Sequence, residues 1–130
     1  MGRNYLGKRP TYSGQPSYSV QSPTTGTKLD FTGDVYHLSS TSALKTWILQ
    51  APRANQIGQT IEIACVKATT SLLCRVLTSG CSFYSTVSST ATTKDAVRFN
   101  RADQNLTIRA ISTSKVRIVA SYLTPTITTS

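Results

Sequence analysis

Apolar residues in this chain recur mainly at every second position, and they do so in short runs. The clearest is Gln59-Thr-Ile-Glu-Ile-Ala-Cys-Val-Lys67, where Ile61, Ile63 and Cys65 share one face of an extended chain and Glu62 takes the other. The same period returns in Asn105-Leu-Thr-Ile-Arg-Ala-Ile111 and in Lys115-Val-Arg-Ile-Val-Ala-Ser-Tyr122. Leu106 and Ile108 therefore face one way with Thr107 and Arg109 opposite. Val116 and Ile118 match them across Ser112-Thr-Ser114, which predicts a hairpin. Runs rich in β-branched and aromatic residues, bounded by turn formers, predict further strands near 35–38, 44–49, 72–78, 83–87 and 96–100. A second hairpin is expected at Thr69-Thr70-Ser71, bringing 60–68 beside 72–78, with Ser79-Gly80 ending the latter strand. No helical period lasts three turns. The pattern is all-β: a single β-sandwich or barrel, jelly-roll-like, of about eight strands. Trp47, Ile61, Ile63, Leu106, Ile108 and Ile118 are its expected core.

Three segments differ in composition. Residues 1–28 hold Pro10, Pro16 and Pro23, four glycines, three tyrosines and few aliphatics, too little apolar surface to offset the entropy of ordering alone. They read as an extended basic N-terminal arm ahead of a β-domain over 29–122. Tyr5, Leu6, Tyr12 and Tyr18 alternate there with Arg3, Lys8 and Arg9, a spacing suited to lying along another surface. Thr86–Thr93 is low in complexity and reads as an exposed loop or edge strand. In the C-terminal tail, 123–130, Pro125 is expected to take the chain out of the sheet.

With 130 residues the chain has the length of one domain. Apolar residues make up 38% and charged ones 15%, with Ser and Thr filling much of the rest, as suits a β-protein. Fourteen Lys and Arg against five Asp and Glu give a net charge of +9, which directs attention to an anionic partner. Arg98, Arg101, Arg109, Lys115 and Arg117 gather in the last third as a candidate basic face, with Arg109 and Arg117 on one side of a hairpin. Tyr84, Phe99 or Tyr122 nearby would let such a face bind nucleic acid by stacking and phosphate contact. The competing partner is an acidic protein lattice, toward which the same charge steers encounter.

Catalytic chemistry finds little support. His37 is the only histidine and lies inside a predicted strand with no motif around it. Asp30, Asp34, Asp95, Asp103 and Glu62 are scattered near turns, and no pair is spaced as acid and base. Cys65, Cys74 and Cys81 lack the short hook of a structural zinc site and read as reduced, buried thiols. Gly33, Gly58 and Gly80 stand alone, without a phosphate-binding pattern. No catalytic, cofactor or metal residue is expected. No apolar run approaches the roughly 18–20 residues of a membrane span, and MGRNYLGKRP has no apolar core for a secretory signal. Synthesis in the cytoplasm is the expectation.

A succession of motifs resembles a known group. Trp47-Ile-Leu-Gln-Ala-Pro52, Ile57-Gly-Gln-Thr-Ile-Glu-Ile63, Arg75-Val-Leu-Thr-Ser-Gly-Cys-Ser-Phe83, Asp103-Gln-Asn-Leu-Thr-Ile-Arg-Ala-Ile111 and Lys115-Val-Arg-Ile-Val-Ala-Ser121 follow in order. The chain resembles the small β-modules of tailed-bacteriophage head decoration (cement) proteins and of some tail-fibre segments over about residues 44–122. Those modules end in a Trp-x-Val type strand, where this chain has Val116-Arg-Ile-Val119. The resemblance implies a virion structural protein, a homotrimer that binds the outer surface of the capsid and cements neighbouring major capsid protein subunits. The arm residues Arg3, Tyr5, Leu6, Lys8, Arg9, Tyr12 and Tyr18 would then be its lattice contacts. Two alternatives stay open: a self-assembling coat protein packaging nucleic acid, and a tail-fibre or adhesion module that reads host glycan through Ser/Thr/Tyr-rich loops.

Overall fold

Strand parity places the apolar residues. In the computed structural model, which describes residues 20–31, 35–84 and 94–128, eleven strands alternate buried and outward side chains around one core. The strands are β1 (Val20–Gln21), β2 (Lys28–Leu29), β3 (Val35–Ser39), β4 (Lys45–Gln50), β5 (Thr60–Lys67), β6 (Cys74–Ser79), β7 (Ser82–Tyr84), β8 (Ala96–Phe99), β9 (Asn105–Ala110), β10 (Lys115–Tyr122) and β11 (Thr126–Thr128). They form a six-stranded sheet in the order β1-β3-β5-β9-β10-β7 and a five-stranded sheet in the order β11-β8-β6-β4-β2. The expected all-β sandwich is the observed architecture. Its core holds the six residues assigned to it by parity, with Trp47, Ile61, Ile63, Leu106 and Ile108 at most 1% exposed and Ile118 5%.

The winding is more particular than a jelly roll. From β1 to β8 the chain changes sheet at every strand, so β1, β3 and β5 stack in parallel in one sheet while β2, β4 and β6 stack in parallel in the other. Val20, Val35 and Glu62 lie side by side in the first stack, and Lys28, Ile48 and Leu77 in the second. Three turns of a two-sided solenoid result, each burying an apolar stripe against the next. Antiparallel β8 and β9 then close the stacks, pairing with β6 and β5.

Three sequence expectations change here. The turn at Thr69-Thr70-Ser71 exists, with Thr69 and Leu72 exchanging backbone hydrogen bonds of 3.1 and 3.2 Å. It makes no hairpin, because β5 enters the six-stranded sheet and β6 the five-stranded one. Both strands bury one face, and crossing between sheets lets both aim it at the same core. The tail is the second correction. Past Pro125 the chain leaves β10's sheet, yet it joins the other sheet as β11, antiparallel to β8. In the same way β1 and the start of β2 lie within 20–28, so part of the expected arm belongs to the sheets. The β9–β10 hairpin forms as expected.

Buried polar groups are satisfied locally. The Gln104 side-chain carbonyl accepts from the backbone N–H of Asn100 and Arg101 at 2.8 and 3.2 Å, closing the β8–β9 turn. Gln56 in the 3₁₀ turn Ala54–Gln56 accepts from the Arg53 N–H at 3.0 Å. The buried Trp47 indole N–H donates to the Pro23 carbonyl at 3.1 Å and ties the segment before β2 to the core.

Candidate functional site

The β9–β10 hairpin sets Arg109 directly opposite Arg117, both exposed on the outward face of the six-stranded sheet. Ile111 donates to the Lys115 carbonyl at 3.0 Å, and two residues along, the Arg109–Arg117 pair falls on the same hydrogen-bonded phase. Their Cα atoms are therefore about 5.5 Å apart. The row continues to Thr60 on β5 and Tyr84 on β7. Lys115 sits beside it with its Nζ 5.4 Å from the centre of the Tyr84 ring. Like charges directly opposite on a sheet are destabilising. Among the described residues neither guanidinium forms an ion pair, although Glu62 is the next outward residue along β5 from Thr60, so both stay open to an external anion.

A second pair of this kind lies on the opposite sheet, where β6 and β8 set Arg75 against Arg98. Arg75 donates through Nε and Nη2 to the Thr46 hydroxyl at 3.3 and 3.1 Å, and Arg98 is exposed. Arg101 lies at the β8–β9 turn. The five residues expected to share one basic face are thus divided: Arg109, Lys115 and Arg117 lie together, Arg98 faces away on the other sheet, and Arg101 stands at a strand end. Adjacency in sequence misled because consecutive strands alternate between sheets. Arg75 went unnoticed since its partner on β8 is distant in the chain, although its outward position between Cys74 and Val76 is legible by parity. The arm residues Arg3, Tyr5, Leu6, Lys8, Arg9, Tyr12 and Tyr18 lie outside the described residues, as do Asp34 and Thr86–Thr93.

The same outward face has a different chemistry at its other end. His37, Ala64, Asn105 and Tyr122 form one register row across β3, β5, β9 and β10. They line a groove of about 510 Å³ that also includes Asp103 and Val66. A second cleft of about 540 Å³ shares His37 and Val66 and runs past Ser39 and Lys45 toward the Thr24–Thr25 turn. His37 is part of both clefts.

The three cysteines are free and buried. Cys65 and Cys74 meet across the two sheets. A hydrogen bond from Cys74 holds the Cys65 thiol below its ordinary value, while donating that bond and burial push Cys74 up. Burial pushes Cys81 up to about 11. Among the described residues no group of three His, Cys, Asp or Glu is placed to hold a metal ion, and no helix is long and apolar enough to cross a membrane. No family model and no curated protein sequence matches the chain.

Proposed function

We propose that this protein is a non-enzymatic structural component of a virion, made in the host cytoplasm. As a homotrimer it docks on the outer surface of a phage capsid and cements neighbouring major capsid protein subunits. The observation that carries the reading is the Arg109–Arg117 pair with Lys115 beside it, a cation cluster that forms no ion pair among the described residues. With five acidic residues against fourteen basic ones, a second copy is a poor source of the missing negative charge. An acidic lattice can, and its field speeds and orients encounter. The arm runs directly into β1, an edge strand of that same sheet, so any surface on which the arm orders is coupled to the β-domain.

The test uses heads assembled from the cognate major capsid protein without this chain. Full-length protein is expected to co-sediment with them at saturable, salt-sensitive occupancy. Deleting 1–19 or making the double change Arg109→Gln/Arg117→Gln should each reduce occupancy at least tenfold while the β-domain stays folded. Full occupancy by both variants refutes the docking reading. Particles that form without any other protein and carry nucleic acid, seen by light scattering with absorbance at 260 and 280 nm, would make the chain a coat protein instead.

A further inference from the structure

One of the two register shifts in these sheets and one of the two non-glycine residues with positive φ among the described residues fall in the lining of one groove, at Val66 and Asp103, and the other two, at Val119 and Leu123, flank its Tyr122 along the chain. In β5 the pairing with β3 slips between Leu38 and Ser39, leaving Val66 as the extra residue. In β10 the pairing with β9 slips between Ile118 and Ala120 at Val119. The second slip decides where Tyr122 points. Val116 and Ile118 face the core, so unbroken alternation would send Tyr122 inward as well. The bulge reverses the parity, and Tyr122 stands 59% exposed beside Asn105 on the outward face. Leu123 follows with φ 48°, and Asp103 adopts φ 72°. Asp103 is fixed there because its N–H donates to the Cys65 carbonyl at 2.9 Å while the Cys65 N–H donates to the Gln104 carbonyl at 2.7 Å. Bulges re-aim side chains at functional sites, and left-handed backbone at non-glycine residues concentrates there too.

Four features define what the groove takes. Ala64, the small member of the row between His37 and Asn105, makes a low floor of about two strand spacings, near 10 Å. Tyr122 offers an exposed ring as a flat wall. Asp103 and Asn105 supply a carboxylate, an amide carbonyl and an amide N–H₂, and His37 adds a ring nitrogen opposite. On a chain of net charge +9, the one carboxylate among these residues disfavours an anion. The sharing of His37 and Val66 with the neighbouring cleft extends the trough past hydroxyl-bearing Ser39 and Thr25 and past Lys45, so the joint lining carries one carboxylate and one ammonium and no net charge to match. An elongated ligand with apolar ring faces and many hydroxyl groups, and without charge, satisfies all four.

We infer that the trough over His37, Ala64, Asn105 and Tyr122 is a binding site for a neutral oligosaccharide, one sugar ring stacking on Tyr122 and its hydroxyls bonding Asp103 and Asn105. The site lies four residues along β9 from Arg109, about 14 Å away. It is argued from a different set of side chains than the cationic cluster and does not depend on capsid docking.

Saturation-transfer NMR on the full-length protein tests it with three probes: maltohexaose, the hexamer of N-acetylglucosamine, and a sialic acid hexamer as the anionic counterpart. Transfer to at least one neutral hexamer is expected. Tyr122→Ala and Asp103→Asn should each weaken it at least tenfold, and Arg109→Gln should leave it unchanged. Asn tolerates left-handed backbone as Asp does, so Asp103→Asn keeps the fold and stands as the decisive variant should Tyr122→Ala lower the melting temperature. Absence of transfer to both neutral hexamers, a stronger signal from the sialic acid hexamer, or binding untouched by Asp103→Asn overturns the assignment.

Discussion

Ile63 is the sharpest test of the strand parity on which the rest depends. It lies on β5 at the middle of the six-stranded sheet, 1% exposed, with Tyr36 beside it on one side and Leu106 on the other. Ile63→Ala removes three carbons from water-excluded packing, about 2.4 kcal/mol at roughly 0.8 kcal/mol each. A residual cavity of about 50 Å³ adds about 1.2 kcal/mol at roughly 24 cal/mol per Å³. The expected loss is therefore about 3–4 kcal/mol, a large share of the roughly 5–15 kcal/mol that holds a domain folded. Urea unfolding can be followed through Trp47, the single tryptophan, which is 1% exposed in the same core. The midpoint should fall with the slope unchanged. Val66→Ala on the same strand is the control, since Val66 is 52% exposed and its truncation should cost under about 0.5 kcal/mol. A one-residue slip of β5 would exchange the two outcomes. A loss below about 1 kcal/mol at Ile63, or an equal loss at both sites, refutes the parity.

Three further outcomes follow from local geometry. Burial raises the Cys81 thiol from the ordinary 9.0 to about 11, so the unfolded chain gives up this proton first and stability falls as pH rises across that window. Cys81→Ala should make the decline shallower by about 2–3 kcal/mol between pH 9 and 11 in denaturant titrations, and an unchanged slope would contradict the burial. Gly58 has φ 92° with no atom within 4 Å of an added Cβ, so Gly58→Ala should cost only the backbone strain, about 1 kcal/mol, in thermal melts followed by circular dichroism. Trp47→Phe loses the bond to the Pro23 carbonyl and part of the buried ring, and should destabilise by about 2 kcal/mol in the same melts.

Eight of the eleven strands, their inward residues and the β9–β10 hairpin were legible in sequence because local alternation reports which side of a strand meets the core. The alternation is silent on which strand comes to lie alongside which. Thr69-Thr70-Ser71 has the composition of a hairpin loop and even the hydrogen bonds of a tight turn, yet β5 and β6 part there. Each finds partners from remote sequence, β3 and β9 for one and β4 and β8 for the other. The strands that sequence missed, β1, β2 and β11, are two or three residues long. Too short to carry a period, they are extended because a longer neighbour supplies their hydrogen bonds.

The candidate sites divide along the same line. Arg109 and Arg117 were legible together because the hairpin that pairs them is local. Arg75 and Arg98 were not, because their pairing joins strands separated by β7 in the chain. The groove was harder still, since Val66 and Val119 are β-branched residues that read as ordinary strand positions while each in fact shifts a register. Alternation carried unbroken through 115–122 places Tyr122 in the core. One extra residue at Val119 turns it outward, beside an amide from β9 and across Ala64 from a histidine on β3. A side chain that parity assigns to packing thus becomes the exposed wall of a trough, and the irregularity that hid it from the sequence is the physical reason the trough exists.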